Sequence, residues 1–431
     1  MGSFMLNIQD LCQHHQVHET VHPLINGLQG SMILKIAAQV RELQAQGKEV
    51  CNLTVGDFDP KHFPIPTLLS SLVQEAYQNG QTNYPPSDGV LALKEAIHEL
   101  YERQFGLSYG TGGVCVASGA RPPLYACYNM FVGPGEYSAS FLPSWNNSYY
   151  AHLQQSQHIF VPTTAESNFH PTIAQIKEIL PKVQLIALNS PLNPTGTVMD
   201  RDVLEGIAKA IVEENAKRRN RRPVMLMFDQ VYWMLLAEGK EHFSPVQLVP
   251  EIAPYVIHID AISKAFAATG LRVGWAVLPS YLQPKMKDLI GHVGAWAAKP
   301  EQVATAAFLR QPEAVDAYMM DIKSKIAERL DLLYSGIMAL KEKGYPVDAI
   351  APQGAIYLSF YVGLIGNRFK SNEDIRNFLL EEAGVAVVPF QAFDMEDENG
   401  WFRMSVGSCG VDELKGALER LETVLSVGAA Q

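Results

Sequence analysis

Residues 257–274 read I-H-I-D-A-I-S-K-A-F-A-A-T-G-L-R-V-G, and this stretch decides how the rest of the chain is interpreted. The apolar run 256–259 predicts a buried strand, and a second apolar run begins at Val273 after a glycine-containing turn. Lys264 and Arg272 therefore lie on a connection between two strands. A partly desolvated lysine there has a lowered pKa, as carbonyl chemistry requires, and an arginine suits a phosphate. The alternative is that both are solvated loop charges.

Composition limits the class of protein. The chain has 431 residues, is 47% hydrophobic and carries a formal net charge of -11. This length allows two globular domains, and the acidic balance argues against nucleic acid as a partner. The five cysteines lie in apolar surroundings, which is typical of reduced thiols. The sequence shows neither an apolar stretch of membrane-spanning length nor a secretion signal, so we expect a cytoplasmic protein without a membrane partner.

Hydrophobic periodicity predicts an α/β fold. From about residue 113, short apolar strands alternate with amphipathic helices, which indicates a mostly parallel seven-stranded sheet between helices. After about residue 300 the pattern changes to a long helix and a smaller α+β unit. We expect a large domain over 63–314 and a small domain built from 1–62 and 315–431. The strands predicted for the large sheet are 114–117, 137–142, 158–161, 183–188, 224–228, 256–259 and 275–278.

Polar motifs follow several of these strands, where ligands bind in sheets of this kind. Gly119 and Ala120 lie in S-G-A-R-P-P, which follows the first predicted strand and offers free backbone amides to a phosphate, with an ordinary turn as the alternative. Asn193 lies in the rigid turn N-S-P-L-N-P-T-G after the fourth predicted strand. Asp229 directly follows the fifth, where the alternative to a functional carboxylate is a helix cap.

Together these segments resemble the class I and II aminotransferases, which are fold type I pyridoxal-phosphate enzymes. The pattern S-K-x-x-x-x-x-G-x-R-x-G at 263–274 is similar to their cofactor-lysine segment. The turn N-S-P-L-N-P-T-G resembles their N-P-x-N-P-T-G signature, with Ser190 before the first proline instead of asparagine. The motif W-F-R-M-S contains Arg403 and resembles the one whose arginine binds the substrate α-carboxylate. The resemblance extends from Gly56 to Arg403 and covers essentially the whole chain.

This resemblance implies pyridoxal 5'-phosphate as the cofactor. Lys264 would bind it covalently and move the substrate α-proton, and Asp229 would keep its pyridine nitrogen protonated. Tyr232 and Asn193 would form hydrogen bonds with the phenolic oxygen of the cofactor. The implied substrate-binding residues are Arg403, Gly56 and Asn193. The implied phosphate-binding and stacking residues are Gly119, Ala120, Arg121, Ser263, Arg272, Trp145 and, across a homodimer interface, Tyr84. Ala261 departs from the serine that many members place near the phosphate.

The implied activity is transfer of an amino group from an L-amino acid to a 2-oxo acid such as 2-oxoglutarate. Arg121 stands where many members have a lysine that meets a distal carboxylate, which favours an aspartate-type substrate. Trp145, Tyr125 and Phe402 would also suit an aromatic side chain. Two alternatives within the fold keep every cofactor motif, a carbon–sulfur β-lyase and an aminocyclopropane-carboxylate-synthase-like enzyme. An alternative of another class is a non-catalytic regulator that binds the cofactor.

His14, His18 and His22 recur at four-residue spacing, as on one helix face, which suggests a metal site. The sequence near them lacks a motif such as H-E-x-x-H, and Pro23 interrupts the segment. We therefore expect surface histidines and no metal.

Overall fold

The computed structural model of the protein describes Cys12 and residues 20–428. Helices and strands alternate along most of this length. The helices include α1 (Pro23–Asn26), α2 (Met32–Ala45), α3 (Thr67–Gln78), α4 (Leu91–Phe105), α5 (Arg121–Phe131), α6 (Asn147–Leu153), α7 (Ile173–Ile179), α8 (Arg201–Lys217), α9 (Pro245–Leu248), α10 (Ile262–Ala265), α11 (Gln283–His292), α12 (Lys299–Leu309), α13 (Pro312–Glu342), α14 (Asn372–Glu382) and α15 (Val411–Gly428). The strands include β1 (Cys51–Asn52), β2 (Val114–Ala117), β3 (Tyr137–Leu142), β4 (Gln157–Pro162), β5 (Val183–Asn189), β6 (Met225–Asp229), β7 (Val256–Ala261), β8 (Gly274–Val277), β9 (Val347–Ala349), β10 (Tyr357–Val362), β11 (Val385–Ala386), β12 (Val388–Pro389) and β13 (Trp401–Ser405).

Seven strands form the central sheet, in the order β2-β8-β7-β6-β5-β3-β4. Strand β8 runs antiparallel to both of its neighbours, β2 and β7, and the other pairs are parallel. All the strands predicted for the large sheet belong to it, and the largest difference is in β7, which continues to Ala261. The predicted α/β fold with a mostly parallel seven-stranded sheet is confirmed.

Side chains of the central strands alternate between two cores. Met227 and Ile259 pack on the side of α5 and α11, whereas Phe228 packs on the side of α8. Both faces are covered by helices, which is why these strands are continuous apolar runs in the sequence. Because successive side chains of a strand point to opposite faces, Asp229 follows Met227 onto the α5 side and Asp260 lies on the other side. The two carboxyl groups therefore lie at the carboxyl ends of neighbouring strands, on opposite faces of the sheet.

The C-terminal part builds a second sheet, in the order β12-β13-β10-β9, with antiparallel neighbours. Strand β1 from the N-terminal part pairs with β11, where Cys51 lies opposite Val385. In the second sheet Tyr357 lies opposite Ser405, two residues from Arg403 on β13. Tyr357 and Arg403 therefore share one face as diagonal neighbours.

Helix ends follow from local sequence signals. Helix α4 ends at Phe105, and the next residue, Gly106, adopts a left-handed conformation with φ of 65° that suits glycine. Helix α14 begins with a capping box, in which the Ser371 hydroxyl accepts the Asp374 N–H and the Asp374 carboxylate accepts the Ser371 N–H. These signals fix where the helices that surround the sheets begin and end.

Three further expectations concern regions around this core. No helix in the described part of the chain is long and apolar enough to cross a membrane. His14 and His18 lie outside the described residues, and His22 is exposed and accepts the Leu24 N–H at 3.2 Å. The domain boundaries at 62/63 and 314/315 stay a prediction.

Candidate active site

A cavity of about 830 Å³ lies at the carboxyl ends of the central strands, against the second sheet. A volume of this size is typical of a ligand site. The cavity brings together most of the residues that the sequence singles out: Gly56, Ala120, Arg121, Trp145, Asn193, Asp229, Tyr232, Ser263, Lys264, Arg272 and Arg403. Gly119 lies just behind the wall, in contact with Arg272. Tyr84 does not reach the cavity of its own chain: it is 83% exposed and lies edge-on to Trp296, with ring centroids 5.7 Å apart.

One end of the cavity is a cradle for an anion. Gly119 has φ of 86°, and a Cβ there would overlap the Arg272 guanidinium. A Cβ on Gly274 would overlap the backbone of Gly119. Only glycine at both positions therefore lets Arg272 and the start of α5 approach so closely. Within the described residues the N–H groups of Ala120 and Arg121 have no acceptor, so they remain available at the positive end of the helix.

Lys264 lies in the single helical turn α10 between β7 and β8. Its Nζ donates a hydrogen bond to the carbonyl oxygen of Gly56 at 2.5 Å. Burial lowers the pKa of Lys264 to about 8, with Asp57 opposing this shift. The amine is still mostly protonated at pH 7, but its neutral fraction is far larger than that of an ordinary lysine, and a nucleophile or general base needs this neutral form. Three guanidiniums near the amine lower its pKa further, those of Arg403, Arg121 and Arg272.

Asp229 ends β6 in the wall of the same cavity. Burial raises the pKa of its carboxyl to about 7, although the Val231 N–H, at 3.2 Å, and the charge of Lys264 act against the rise. Its backbone carbonyl accepts from Asn189 Nδ2 at 2.8 Å, and Asn189 Oδ1 accepts the Asn193 N–H at 2.8 Å. These bonds fix the strand ends relative to each other. The Asp229 carboxyl itself keeps acceptor capacity that faces the cavity.

Arg403 enters from the second sheet and is only 1% exposed. It donates to Asn193 Oδ1 at 3.0 Å and to the Thr54 carbonyl oxygen at 2.5 Å. Its Nε has no partner, and no carboxylate in the described part of the chain pairs with it. A buried cation without a counter-ion is costly, so the site is suited to bind an anionic group. Because Arg403 occupies Oδ1 of Asn193, the Nδ2 of that amide stays available to a ligand.

Two aromatic contacts complete the wall. The Arg121 guanidinium lies over the Trp145 ring, with its Cζ 4.6 Å from the ring centroid. The Tyr232 hydroxyl lies 2.5 Å from the Tyr357 hydroxyl, and Lys264 Nζ lies 5.9 Å from the centroid of the Tyr232 ring. Tyr232 is therefore held in place beside Lys264. In this position its hydroxyl could donate a hydrogen bond to a ligand that lies between the two side chains.

Sequence reasoning missed two parts of this site. Tyr357 stands in an apolar strand, A-I-Y-L-S-F, that reads as core, and only the pairing of β10 with β13 places it beside Arg403. Helix α2 contributes Ile33, Leu34 and Ala37 to the cavity. These residues belong to an apolar periodicity that indicates core packing, yet Leu34 is 68% exposed. The sequence contains no signal that distinguishes a cavity-facing apolar helix from a core-facing one.

The site fits the cofactor that the sequence implies. The cradle closed by Gly119 and Gly274 suits a phosphate, and the carboxyl of Asp229 suits a protonated ring nitrogen. The amine of Lys264 lies in the same cavity and suits a carbonyl carbon. One ligand that carries a phosphate, a ring nitrogen and a carbonyl carbon would complement all three features.

Comparison with known proteins gives a family for this arrangement. The model of the family "Aminotransferase class I and II" matches residues 48–421. The chain belongs to this family. This aminotransferase is 31% identical to an aspartate aminotransferase of Bacillus sp. (strain YM-2), with 86% of the chain and 91% of that relative covered. It is also 31% identical to the aspartate/prephenate aminotransferase of Thermus thermophilus, with 93% and 97% covered.

Solved structures agree with this assignment. The aspartate aminotransferase of Thermus thermophilus with maleate matches this aminotransferase with a TM-score of 0.84 at 29% identity, covering 94% of this chain and 99% of that one. The aspartate aminotransferase of Rhizobium meliloti matches with a TM-score of 0.85 at 28% identity. The predicted family and enzyme class are confirmed, and the activity is amino-group transfer.

Proposed function

We propose that this aminotransferase binds pyridoxal 5'-phosphate in the cavity and transfers the amino group of an L-amino acid to a 2-oxo acid such as 2-oxoglutarate. The observation that carries the proposal is one cavity with three unusual charges: the Lys264 amine, whose pKa is lowered, the Asp229 carboxyl, whose pKa is raised, and the Arg403 guanidinium, which has no acidic partner in the described part of the chain. Perturbed titratable groups that converge in one cleft are typical of active sites.

The chain's own groups bind and orient the cofactor. Asp229 would hold a proton on the ring nitrogen, and Tyr232 Oη and Asn193 Nδ2 would donate hydrogen bonds to the phenolic oxygen. Trp145, which lines the cavity, would stack on the ring. When bound, pyridoxal phosphate supplies an electron sink for the pair of electrons left by the substrate's α-proton. The residues that hold the phosphate are Gly119, Ala120, Ser263 and Arg272, with Arg121 at the start of α5.

The same cavity binds the substrate and moves its proton. Arg403 binds the α-carboxylate with its planar guanidinium, which fixes the orientation of the Cα–H bond. Gly56 leaves room for the substrate because it has no side chain on that wall, and its carbonyl holds the Lys264 amine in place. Lys264 Nζ takes the proton from Cα and returns a proton in the following step. The substrate Cα is thus surrounded by Arg403, Gly56 and Lys264.

For the substrate side chain we propose a dicarboxylic amino acid of the aspartate type. Arg121 supports this, because its guanidinium lies on the Trp145 ring in the cavity wall and keeps its donors for a second carboxylate. The relatives named above are aspartate and aspartate/prephenate aminotransferases. An aromatic substrate is the second candidate, and it is favoured by the apolar wall of Ile33, Leu34 and Phe169.

We further propose a cytoplasmic homodimer. Tyr84 supports the dimer, because an aromatic side chain that is 83% exposed and absent from its own cavity is suited to reach the site of a second copy. Four of the cysteines, Cys51, Cys115, Cys127 and Cys409, are buried free thiols, which supports a reducing compartment.

A spectroscopic experiment tests the proposal. The purified protein is loaded with pyridoxal phosphate, and absorption spectra are recorded before and after each of a panel of amino acids, without a 2-oxo acid. Replacement of the visible band by a near-ultraviolet band identifies the amino donor. Pyruvate and ammonia released under the same conditions from a β-substituted amino acid would instead favour the lyase alternative. A protein that takes up no cofactor contradicts the proposal.

A further inference from the structure

The Tyr232 and Tyr357 hydroxyls form a hydrogen bond between the two sheets. Tyr232 follows β6 of the central sheet and Tyr357 begins β10 of the second, and the two oxygens lie 2.5 Å apart. The side chains are only 3% and 1% exposed, so water does not compete for this bond. We propose that Tyr357 is a positioning residue that donates its hydroxyl proton to Tyr232 and so directs the Tyr232 proton to the phenolic oxygen of the cofactor. This inference rests on the function proposed above.

Counting protons determines the direction of the bond. Each phenol carries one proton and can accept through its lone pairs. Burial raises the pKa of both phenols, so both stay protonated near neutral pH. Tyr232 has a single proton and cannot donate both to Tyr357 and to a ligand. Once Tyr232 donates to the cofactor oxygen, the bond between the two tyrosines must be donated by Tyr357.

The surroundings hold Tyr357 in the position that this role requires. A Cβ on Gly56 would lie 2.7 Å from the Tyr357 hydroxyl oxygen, so only glycine there leaves room for the hydroxyl in this position. The Arg403 guanidinium covers the ring, with its Cζ 4.7 Å from the ring centroid. The Tyr232 ring meets it edge-on at 5.5 Å. A donor that is fixed in this way costs little reorganisation when the ligand binds.

A bond donated to Tyr232 strengthens the bond that Tyr232 donates. Chains of hydrogen bonds polarise one another, by roughly 10–30% per bond. Tyr357 therefore stabilises the anionic form of the cofactor's phenolic oxygen through Tyr232. The pH at which the visible band of the loaded protein titrates reports that stabilisation. The charged and titratable groups that face the pair are Lys264, Asp229, Asp57 and Arg403, and they are unchanged by a Tyr→Phe substitution.

The test compares four variants with the wild-type protein. They are Tyr357→Phe, Tyr232→Phe, the double variant, and Tyr361→Phe as a matched control. Tyr361 lies on the same strand, β10, and its ring packs against Trp401 at 5.2 Å, away from the cavity. Each protein is loaded with pyridoxal phosphate, its visible spectrum is titrated against pH, and thermal unfolding checks that the fold is retained.

The expected shifts are graded. Tyr232→Phe loses a charge-assisted bond and moves the titration of the visible band upward by about 1–2 pH units. Tyr357→Phe moves it upward by about 0.3–0.5 units, because it loses only the cooperative part of that bond. In the Tyr232→Phe background the second substitution adds no further shift, since Tyr357 acts through Tyr232. Tyr361→Phe titrates like the wild-type protein.

Three outcomes would overturn the inference. One is that the visible band of Tyr357→Phe titrates at the same pH as that of Tyr361→Phe. Another is that the double variant shows the sum of the two single shifts, so that Tyr357→Phe has its whole effect without Tyr232. Either result, with normal cofactor uptake by the wild-type protein, removes the role of Tyr357 and leaves the proposed function intact. Failure of the wild-type protein to develop a visible band overturns the proposed function, and the inference with it.

Discussion

Asp229 and Asp260 lie at the carboxyl ends of neighbouring strands of the central sheet, β6 and β7, on opposite faces, and differ in what surrounds them. Burial raises the pKa of both carboxyls, to about 7 for Asp229 and to about 8 for Asp260. Asp260 accepts hydrogen bonds from Trp233 Nε1 at 2.8 Å and from the Ala261 N–H at 2.7 Å, deep in the core. Asp229 has one such bond, from the Val231 N–H, and lines the cavity.

The difference shows that burial alone does not make a functional carboxylate. Asp260 has its acceptors occupied by protein donors and links β7 to the loop that carries Trp233. Asp229 has acceptor capacity left, and the cavity gives a ligand access to it. A perturbed pKa therefore indicates a site only when unsatisfied hydrogen-bonding capacity faces a cavity. We expect substitutions on the cavity side to affect chemistry and those on the core side to affect stability.

The largest effect on the cavity side is expected for Lys264→Ala. In the proposed function this amine attaches the cofactor covalently and transfers the substrate proton, so we expect its loss to lower turnover by at least about 10⁴-fold. Steady-state assays with the donor found by spectroscopy measure this loss. Cofactor uptake, measured by equilibrium dialysis, serves as the control, because the cradle proposed to hold the phosphate, around Gly119 and Arg272, is unchanged in the variant. Turnover near the wild-type level would contradict the central role of Lys264.

Asp229→Asn sharpens the comparison directly. In the proposed function the amide cannot stabilise a positive ring nitrogen, and breaking such a buried pair costs about 3–5 kcal/mol, so kcat falls by about 10²–10⁴-fold. The measurement is kcat under saturating substrate and cofactor. Asp260→Asn is the matched control, since it makes the same substitution on the other face and is expected to change kcat less than about threefold. Equal losses in the two variants would contradict the distinction drawn between the two carboxyls.

Arg403→Lys is expected to have a smaller effect, on substrate binding. A lysine keeps the charge but loses the planar pair of donors and the bonds to Asn193 and Thr54. We expect KM for the amino acid to rise by about 10²-fold with a smaller change in kcat, as for truncation of a buried charged contact. Arg329→Lys is a suitable control, because Arg329 is also buried but lies outside the cavity. An unchanged KM in Arg403→Lys would show that the α-carboxylate binds elsewhere.

The comparison also shows what the sequence could and could not predict. The strands of the central sheet were predicted within two residues, because strands covered on both faces are continuous apolar runs that end at polar motifs. Lys264, Asp229 and Arg403 were singled out through such motifs, and the structure brings them to one cavity. Their roles stay predictions.

Contacts between distant segments were beyond the sequence. Tyr357 lies in an apolar strand, and only the register of β10 against β13 brings it to the site. Asp260 lies four residues before Lys264 and near the end of a strand, much as Asp229 ends one, so the local pattern does not tell the two apart. What separates them is which face of the sheet each occupies and whether Trp233 folds back to donate, and both depend on tertiary packing.

The smallest effect on activity and the clearest effect on stability are expected for Asp260→Asn. Burial raises the pKa of Asp260 from 3.8 to about 8, so the folded state binds more protons than the unfolded state between these two values. Stability therefore falls as pH rises from about 4 to about 8, because ionisation of the carboxyl favours unfolding. The asparagine does not ionise, so its stability relative to the wild-type protein should improve across the same pH range.

Chemical denaturation at pH 4, 6 and 8 measures this difference for Asp260→Asn and for Asp288→Asn, which removes an exposed carboxyl on α11. At acid pH we expect Asp260→Asn to be the less stable protein, because the asparagine has one oxygen for two donors, so its NH₂ faces the N–H of either Trp233 or Ala261. The difference in the free energy of unfolding between Asp260→Asn and the wild-type protein should narrow as the pH rises. The difference between Asp288→Asn and the wild-type protein should stay the same at each pH. A gap that widens with pH would mean that Asp260 is ionised in the folded protein and that its two hydrogen bonds outweigh its burial.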